Sequence, residues 1–314
     1  ALYCQDDAKF DNVLVTGNSL APSVVISSPV AYSIEVSDTL VASAIATNVP
    51  SGGRVEFVLD DDDSTKRVSN FPFQVQFSPV SQGEHKLYAI LLDDSDTELA
   101  RDTNDRIGVL GDYYVAVGDS ITNGIGDDNP SDNTSQDGRI IAIQGYEANL
   151  NDLLTSTLGY PHIIFNEGIG GDKALDALGR INSIIVERHP LSNKVLILLG
   201  TNDSGGGVSA TTFRTQMQSL VNTVVASGKE AWVALIPPAF LSNGSPDAAR
   251  NNLIQQYNND IVNQIVDPQN NIYEGPDFYT FFLDKFDTHY ADNIHPNGLG
   301  YEAMANEWQD ILDQ

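Results

Sequence analysis

The segment Val115-Ala-Val-Gly-Asp-Ser-Ile-Thr-Asn-Gly124 joins a strand-like apolar run, Tyr113 to Val117, to a helix start through a tight glycine turn. Such a turn lifts a side chain above the edge of a sheet and aims backbone N–H groups at the same spot. A serine after a strand is by itself most often a helix cap. The chain beyond Ser120 gives this serine a second meaning.

From Asp112 onward, strand-like and helix-like runs alternate. The strands read as Tyr113–Val117, His162–Phe165, Lys194–Leu199, Ala231–Ile236 and, more weakly marked, Asn271–Tyr273. The helices read as Tyr146–Leu158, Ala174–Val186, and runs spaced on Phe213, Met217, Leu220 and Val224, on Leu253, Tyr257, Ile261 and Ile265, and on Tyr301, Met304, Trp308 and Ile311. Nearly continuous apolar strands alternating with helices predict a parallel sheet covered on both faces. Ligands in such folds bind beyond the carboxyl ends of the strands. Four polar loops fall there: Gly118-Asp-Ser120, Asn166-Glu-Gly-Ile-Gly-Gly-Asp172, Gly200-Thr-Asn-Asp203 and Asp292-Asn-Ile-His295.

Those loops hold the parts of a nucleophilic site. A serine hydroxyl needs a base. Of the five histidines, His85, His162 and His189 read as surface or packing residues. His295 stands three residues after Asp292, just before Pro296-Asn-Gly. On a turn, that spacing lets the carboxylate reach Nδ1 while Nε2 faces outward. His289, two residues after Asp287, lacks such a turn. For charge developing on a tetrahedral intermediate, the backbone at Gly168, Gly170 and Gly171, the Ser120 N–H and the Asn202 amide are candidate donors.

These motifs resemble the GDSL-type SGNH-hydrolase superfamily of esterases, lysophospholipases, thioesterase I-like enzymes and carbohydrate deacetylases. The first block reads G-D-S-I-T-N-G, the third G-T-N-D and the last D-x-x-H. The family's four signature residues fall on Ser120, Gly171, Asn202 and His295, and its acid on Asp292. The resemblance implies a three-layer α/β/α, flavodoxin-like fold and ester hydrolysis without a cofactor. It implies a triad of Ser120, His295 and Asp292, and an oxyanion hole from the Ser120 N–H, the Gly171 N–H and Asn202 Nδ2. Asp119 is expected to support the loop.

Upstream the pattern differs. Residues 1–20 read as a polar tail or linker. Between 21 and 109, short runs such as Tyr32-Ser-Ile-Glu-Val and Arg54-Val-Glu-Phe-Val-Leu, several of them alternating, are separated by Pro50-Ser-Gly-Gly, Asp60-Asp-Asp-Asp-Ser and Ser81-Gln-Gly-Glu, the pattern of an all-β sandwich. It resembles the disulfide-free immunoglobulin-like modules of bacterial surface and secreted enzymes. The expected organisation is therefore a sandwich at 21–109 and a catalytic domain at 110–314. The sandwich reads as a spacer, as a lid packed on the enzyme domain, or as a carbohydrate-binding or adhesion module. It leans the substrate toward acetylated polysaccharide and the location toward the secreted, periplasmic or cell-surface space of a bacterium. Short-chain esters are the other expected substrates.

The 314 residues carry a formal charge of −27 and 41% hydrophobic residues. That balance supports a sizeable core and argues against nucleic acid or an anionic membrane as partner, since both recruit Lys and Arg. Acidity on this scale reads first as solubility in salty water and second as divalent cation binding. The insert Ile125–Gln144 comes directly after the nucleophile's motif, and Asp127, Asp128, Asp132 and Asp137 within it are candidate Ca²⁺ ligands without the EF-hand spacing. Cys4 is the only cysteine, so no internal disulfide forms. No apolar run reaches the 18 or so residues of a membrane span.

Overall fold

The computed structural model describes residues 21–31, 33–61, 66–129 and 144–313. Its first part keeps a period of two. The strands are β1 (Ser23–Ser28), β2 (Ile34–Glu35), β3 (Leu40–Thr47), β4 (Arg54–Leu59), β5 (Arg67–Ser69), β6 (Gln74–Phe77), β7 (Gly83–Leu92) and β8 (Glu98–Val109). They form two sheets, ordered β1-β3-β6 and β2-β8-β7-β4-β5. Alternate residues point inward, as the pleat requires. Val24 and Ile26 of β1, Leu40 and Ala42 of β3, and Val55, Phe57, Leu87 and Leu91 of the facing sheet share one core.

Two of these strands are not marked in the sequence. β8 reads Glu-Leu-Ala-Arg-Asp-Thr-Asn-Asp-Arg-Ile-Gly-Val, and only its last three residues are buried. It is held by the backbone ladder to β7 along most of its length, so most of its side chains need no apolar character. Asp102 within it accepts the Ile26 N–H at 2.7 Å, a bond to β1 across the sandwich. β5 is three residues at a sheet edge. From the run read at Ser33-Ile-Glu-Val36, β2 takes Ile34 and Glu35 and pairs parallel to β8.

Only Leu110-Gly-Asp112 separates β8 from β9 (Tyr113–Gly118). The other strands of the second part are β10 (Ile163–Gly168), β11 (Lys194–Leu198), β12 (Glu230–Leu235) and β13 (Ile272–Asp277). All five are parallel, in the order β10-β9-β11-β12-β13. This is the flavodoxin-like order, with its switch point between β9 and β11. The helices are α1 (Ser120–Asn123), α2 (Glu147–Leu158), α3 (Ala174–Asn182), α4 (Thr201–Gly205), α5 (Ala210–Ala226), α6 (Ala248–Asp260), α7 (Phe278–Phe282), α8 (Phe286–His289) and α9 (Gly298–Leu312). After α3 and α6 the chain continues as π turns, Ser183–Arg188 and Ile261–Ile265.

Neighbouring residues of each strand feed opposite layers. Val115 and Val117 pack with Ala177, Ile181, Met217 and Tyr257 from α3, α5 and α6. Tyr114 and Ala116 pack with Leu150, Leu154, Met304 and Trp308 from α2 and α9. The result is three layers, helix on sheet on helix.

The sandwich meets this unit at the amino ends of the strands. Gln82 Nε2 donates to the Tyr160 hydroxyl at 2.9 Å, and a Cβ added to Gly108 would come within 2.8 Å of the Pro161 carbonyl oxygen. Both partners lie just before β10. These contacts are at the opposite end of the sheet from the four polar loops, where a lid would have to sit.

Candidate active site

β9 ends at Gly118, where nothing larger fits: an added Cβ would overlap Thr122 Oγ1 and the Leu198 carbonyl oxygen. Asp119 then caps α1, its Oδ1 accepting the Ile121 N–H at 2.9 Å. This sets Ser120 as the first helical residue, 5% exposed, with an N–H that has no partner inside the helix.

The imidazole comes from the far end of the chain. Asn297 caps α9 by accepting the Gly300 N–H, and the preceding loop is closed by Ala291 N–H to His295 O at 2.9 Å and by the Tyr290–Pro296 bridge. His295 Nε2 lies 2.8 Å from Ser120 Oγ, and its Nδ1 lies 2.7 Å from Asp292 Oδ2. Asp292 Oδ1 accepts the N–H groups of Ile294 and His295, both at 2.9 Å. Burial draws the Asp292 carboxyl upward, but the bonds from the His295 ring and from those N–H groups outweigh it. They hold the carboxyl below the usual carboxylate range. Its side chain is 54% exposed, against 15% for His295, so the acid stands at the rim.

The second loop makes a β-turn, Ile169–Asp172, closed by Asp172 N–H to Ile169 O at 3.1 Å. Gly171 takes φ +89°, the left-handed value a type II turn demands at its third position. The turn's closing bond does not use the Gly171 N–H. Gly170 faces the nucleophile: a Cβ there would stand 3.9 Å from Ser120 Cβ and 3.5 Å from Ile125 Cδ1. Asn202, on α4, donates both Nδ2 protons, to Asp119 Oδ2 at 3.2 Å and to the Asp172 carbonyl at 3.0 Å. α4 is itself anchored. Asp203 Oδ2 accepts the Ala174 N–H at 3.1 Å, and Arg250 reaches the Thr201 carbonyl and the Ser204 hydroxyl.

Asp119 is 1% exposed, and burial pushes its carboxyl up to about 7. The unfolded chain releases this proton near the ordinary carboxylate value of about 4. A folded-state pKa raised in this way contributes stability below the unfolded value and loses it as pH rises through the folded one. Wild type should therefore lose stability relative to Asp119→Asn as pH rises from 5 to 7, with no further change by pH 8. Urea melts of both proteins across that range, above the pI of about 4.1, measure the difference. A difference constant with pH would mean that Asp119 is ionised throughout.

The other histidines have different partners. His85 bonds Asp60 and the Ser81 carbonyl, His189 bonds Glu167 and the Tyr113 hydroxyl, and His289 Nδ1 meets Thr288 Oγ1. His162 is fully buried before β10. Of the candidate calcium ligands, Asp127 accepts the Asn129 and Gly145 N–H groups and Asp128 accepts the Gly298 N–H. Both therefore staple the insert to the site's scaffold. Asp132 and Asp137 lie outside the described residues. Among the described residues, no group of three or more His, Cys, Asp or Glu is placed to hold a metal ion, and no helix is long and apolar enough to cross a membrane. Asp203, the last residue of the G-T-N-D block, and Arg180 and Arg250 belong to the scaffold of the site; the two arginines carry no signal of it in sequence beyond the rarity of cations in so acidic a chain.

Comparison with known proteins agrees with this architecture. The model of the GDSL-like Lipase/Acylhydrolase family matches residues 116–303. No curated protein matches the chain. Among solved structures, the acetylxylan esterase Axe2 of Geobacillus stearothermophilus is similar at 22% identity and a TM-score of 0.50, over 64% of this chain and 93% of that one. The lipase Lip_vut3 from a goat rumen metagenome is similar at 16% and 0.52, over 63% and 96%. TesA is similar at 21% and 0.50, over 64% and 97%. At these identities the likeness is one of fold.

Proposed function

The chain belongs to the GDSL-like lipase/acylhydrolase family and is a carboxylic ester hydrolase, and from that premise we propose that it acts through Ser120, His295 and Asp292 by way of an acyl-enzyme. The observation that carries the reading is the pair of contacts on one imidazole, 2.8 Å to Ser120 Oγ and 2.7 Å to Asp292 Oδ2. Ser120 Oγ attacks the ester carbonyl as His295 Nε2 takes its proton. Asp292 holds Nδ1–H, which fixes the tautomer and stabilises the imidazolium. The oxyanion is received by the Ser120 N–H, the Gly171 N–H and Asn202 Nδ2. His295 returns the proton to the leaving alcohol, and water, deprotonated by the same nitrogen, releases the acid from Ser120.

The acyl group is short and the alcohol bulky. Support for this comes from exposure. The acid stands half exposed at the rim, where a large alcohol can approach, whereas a long acyl chain needs a deep apolar slot. A concavity of about 680 Å³ along α6, lined by Asn252, Gln255 and Tyr279, includes none of the triad. An acetylated carbohydrate satisfies both conditions, and a polymeric one would be met outside the cell membrane. Rates on p-nitrophenyl esters from acetate to palmitate, with acetate release from acetylated polysaccharides, test the reading. Acetate and butyrate should lead the series and polysaccharide should release acetate. A maximum at long chains would replace this substrate class with lipids.

A further inference from the structure

Arg180 projects from α3 into the floor of the site and makes three bonds with one guanidinium. Nε donates to Asp172 Oδ2 at 2.8 Å, Nη1 to the Glu167 carbonyl at 2.8 Å and Nη2 to the Gly118 carbonyl at 3.1 Å. Its side chain is 16% exposed and that of Asp172 13%.

The three acceptors are the feet of one structure. Gly118 is the last residue of β9, two before Ser120, and its carbonyl also takes the Ile169 N–H at 3.1 Å, where the β-turn Ile169–Asp172 begins. Glu167 is the exit of β10 into that turn. Asp172 is the last residue of the turn, and its own carbonyl accepts from Asn202 Nδ2. One planar cation thus ties the strand that delivers the nucleophile, the start of the turn and its end. The turn's apex carries the Gly171 N–H, and its end is gripped by Asn202. A Lys ammonium, a point charge on a flexible stem, cannot reproduce a fork that reaches three acceptors in fixed directions.

Resting on the serine mechanism above, we infer that Arg180 is a positioning residue for the oxyanion donors, setting the Gly171 N–H and the Asn202 amide relative to Ser120 without touching substrate. Loosening the turn moves donors away from where negative charge develops, and a misplacement of about 1 Å costs on the order of 10²-fold in rate. The loss belongs to the transition state, so it appears in kcat and in the affinity for a tetrahedral mimic rather than in KM.

The test uses wild type, Arg180→Lys, Arg180→Ala and Ser120→Ala, with p-nitrophenyl acetate as substrate and benzeneboronic acid as the mimic that forms a tetrahedral adduct on Ser120. Arg180→Lys and Arg180→Ala should lose roughly 10- to 100-fold in kcat with KM changed by less than about twofold, and boronate affinity should fall in proportion. Added guanidinium should restore part of the Arg180→Ala rate and none of the Ser120→Ala rate. Wild-type kcat and boronate affinity in Arg180→Lys would overturn the inference and leave the serine mechanism standing. So would a variant that loses thermal stability and rate but binds boronate as wild type does. If wild type hydrolyses no ester, or Ser120→Ala still turns over, the mechanism itself falls. Boronate binding does not depend on turnover, so it still reads whether Arg180 sets the donors.

Discussion

Ser120→Ala should lose on the order of 10⁴-fold or more of kcat on p-nitrophenyl acetate while the protein melts within a few degrees of wild type. The size of the loss comes from the hydroxyl's task. In the proposed mechanism it is the atom that becomes bonded to the acyl group, and neither His295 nor the oxyanion donors can replace it as a nucleophile. A general base, a polarised carbonyl and bound water remain in the variant, and such remnants give roughly 10³- to 10⁴-fold over the uncatalysed reaction. The fold should tolerate the change because the hydroxyl is not a structural bond. Ser120 is held by the cap from Asp119, and its own carbonyl accepts the Ile125 N–H at 3.0 Å, contacts that alanine keeps. A covalent probe separates chemistry from folding: an organophosphonate should add one adduct mass to wild type and none to the variant. A variant that keeps more than a few per cent of the wild-type rate would remove Ser120 from the mechanism.

Much of this architecture was legible in the chain, because two physical periods mark it. The apolar runs of β9, β11 and β12 are buried on both faces, and the helices that cover them repeat apolar residues three and four apart. Where burial does not dictate side chains, the signal fades. β8 is a long strand that reads as a polar loop, since its ladder to β7 is made by backbone atoms. The extension of β13 to Asp277 is hidden for a similar reason, with Glu274, Gly275 and Pro276 inside it. The site divides along the same line. Ser120, Asp292 and His295 could be read as candidates because each sits in a short motif at the end of a secondary element, and the structure brings the three together. Arg180 and Arg250 act over long sequence distances on backbone groups or on the partners of other site residues, such as the Gly118 and Thr201 carbonyls. No spacing announces a bond such as Arg180 to the Gly118 carbonyl. In the insert after Ser120, Asp127 and Asp128 also have partners that composition does not announce, the N–H groups of Asn129, Gly145 and Gly298.

Asn202→Ala should lower kcat by about 10²-fold, the lower end of the 10²- to 10³-fold range for an oxyanion-hole donor, with little change in KM. The lower end is expected because Nδ2 is not idle in the resting structure. Its two protons are given to Asp119 Oδ2 and to the Asp172 carbonyl, so an oxyanion must take a share of one of them. The net gain is the difference between two hydrogen bonds, not a whole one. The Asp119 bond is the one to yield. It is the longer of the two, and burial pushes that carboxyl up to about 7, so near neutral pH a large fraction is uncharged and a weaker acceptor. The Asp172 carbonyl stays a full acceptor at every pH and keeps the amide plane aimed. Two consequences separate this account from a purely structural role for Asn202. Asn202→Asp should be worse than Asn202→Ala, since a carboxylate facing the oxyanion repels the charge the site must receive, while the side chain's volume hardly changes. The cost of Asn202→Ala should also be larger below pH 7 than above it, because the wild-type amide is freer to donate when Asp119 carries its proton. Comparing kcat for the three proteins between pH 6 and 8 reads both. An Asn202→Asp variant as active as Asn202→Ala would mean that the side chain faces no developing charge.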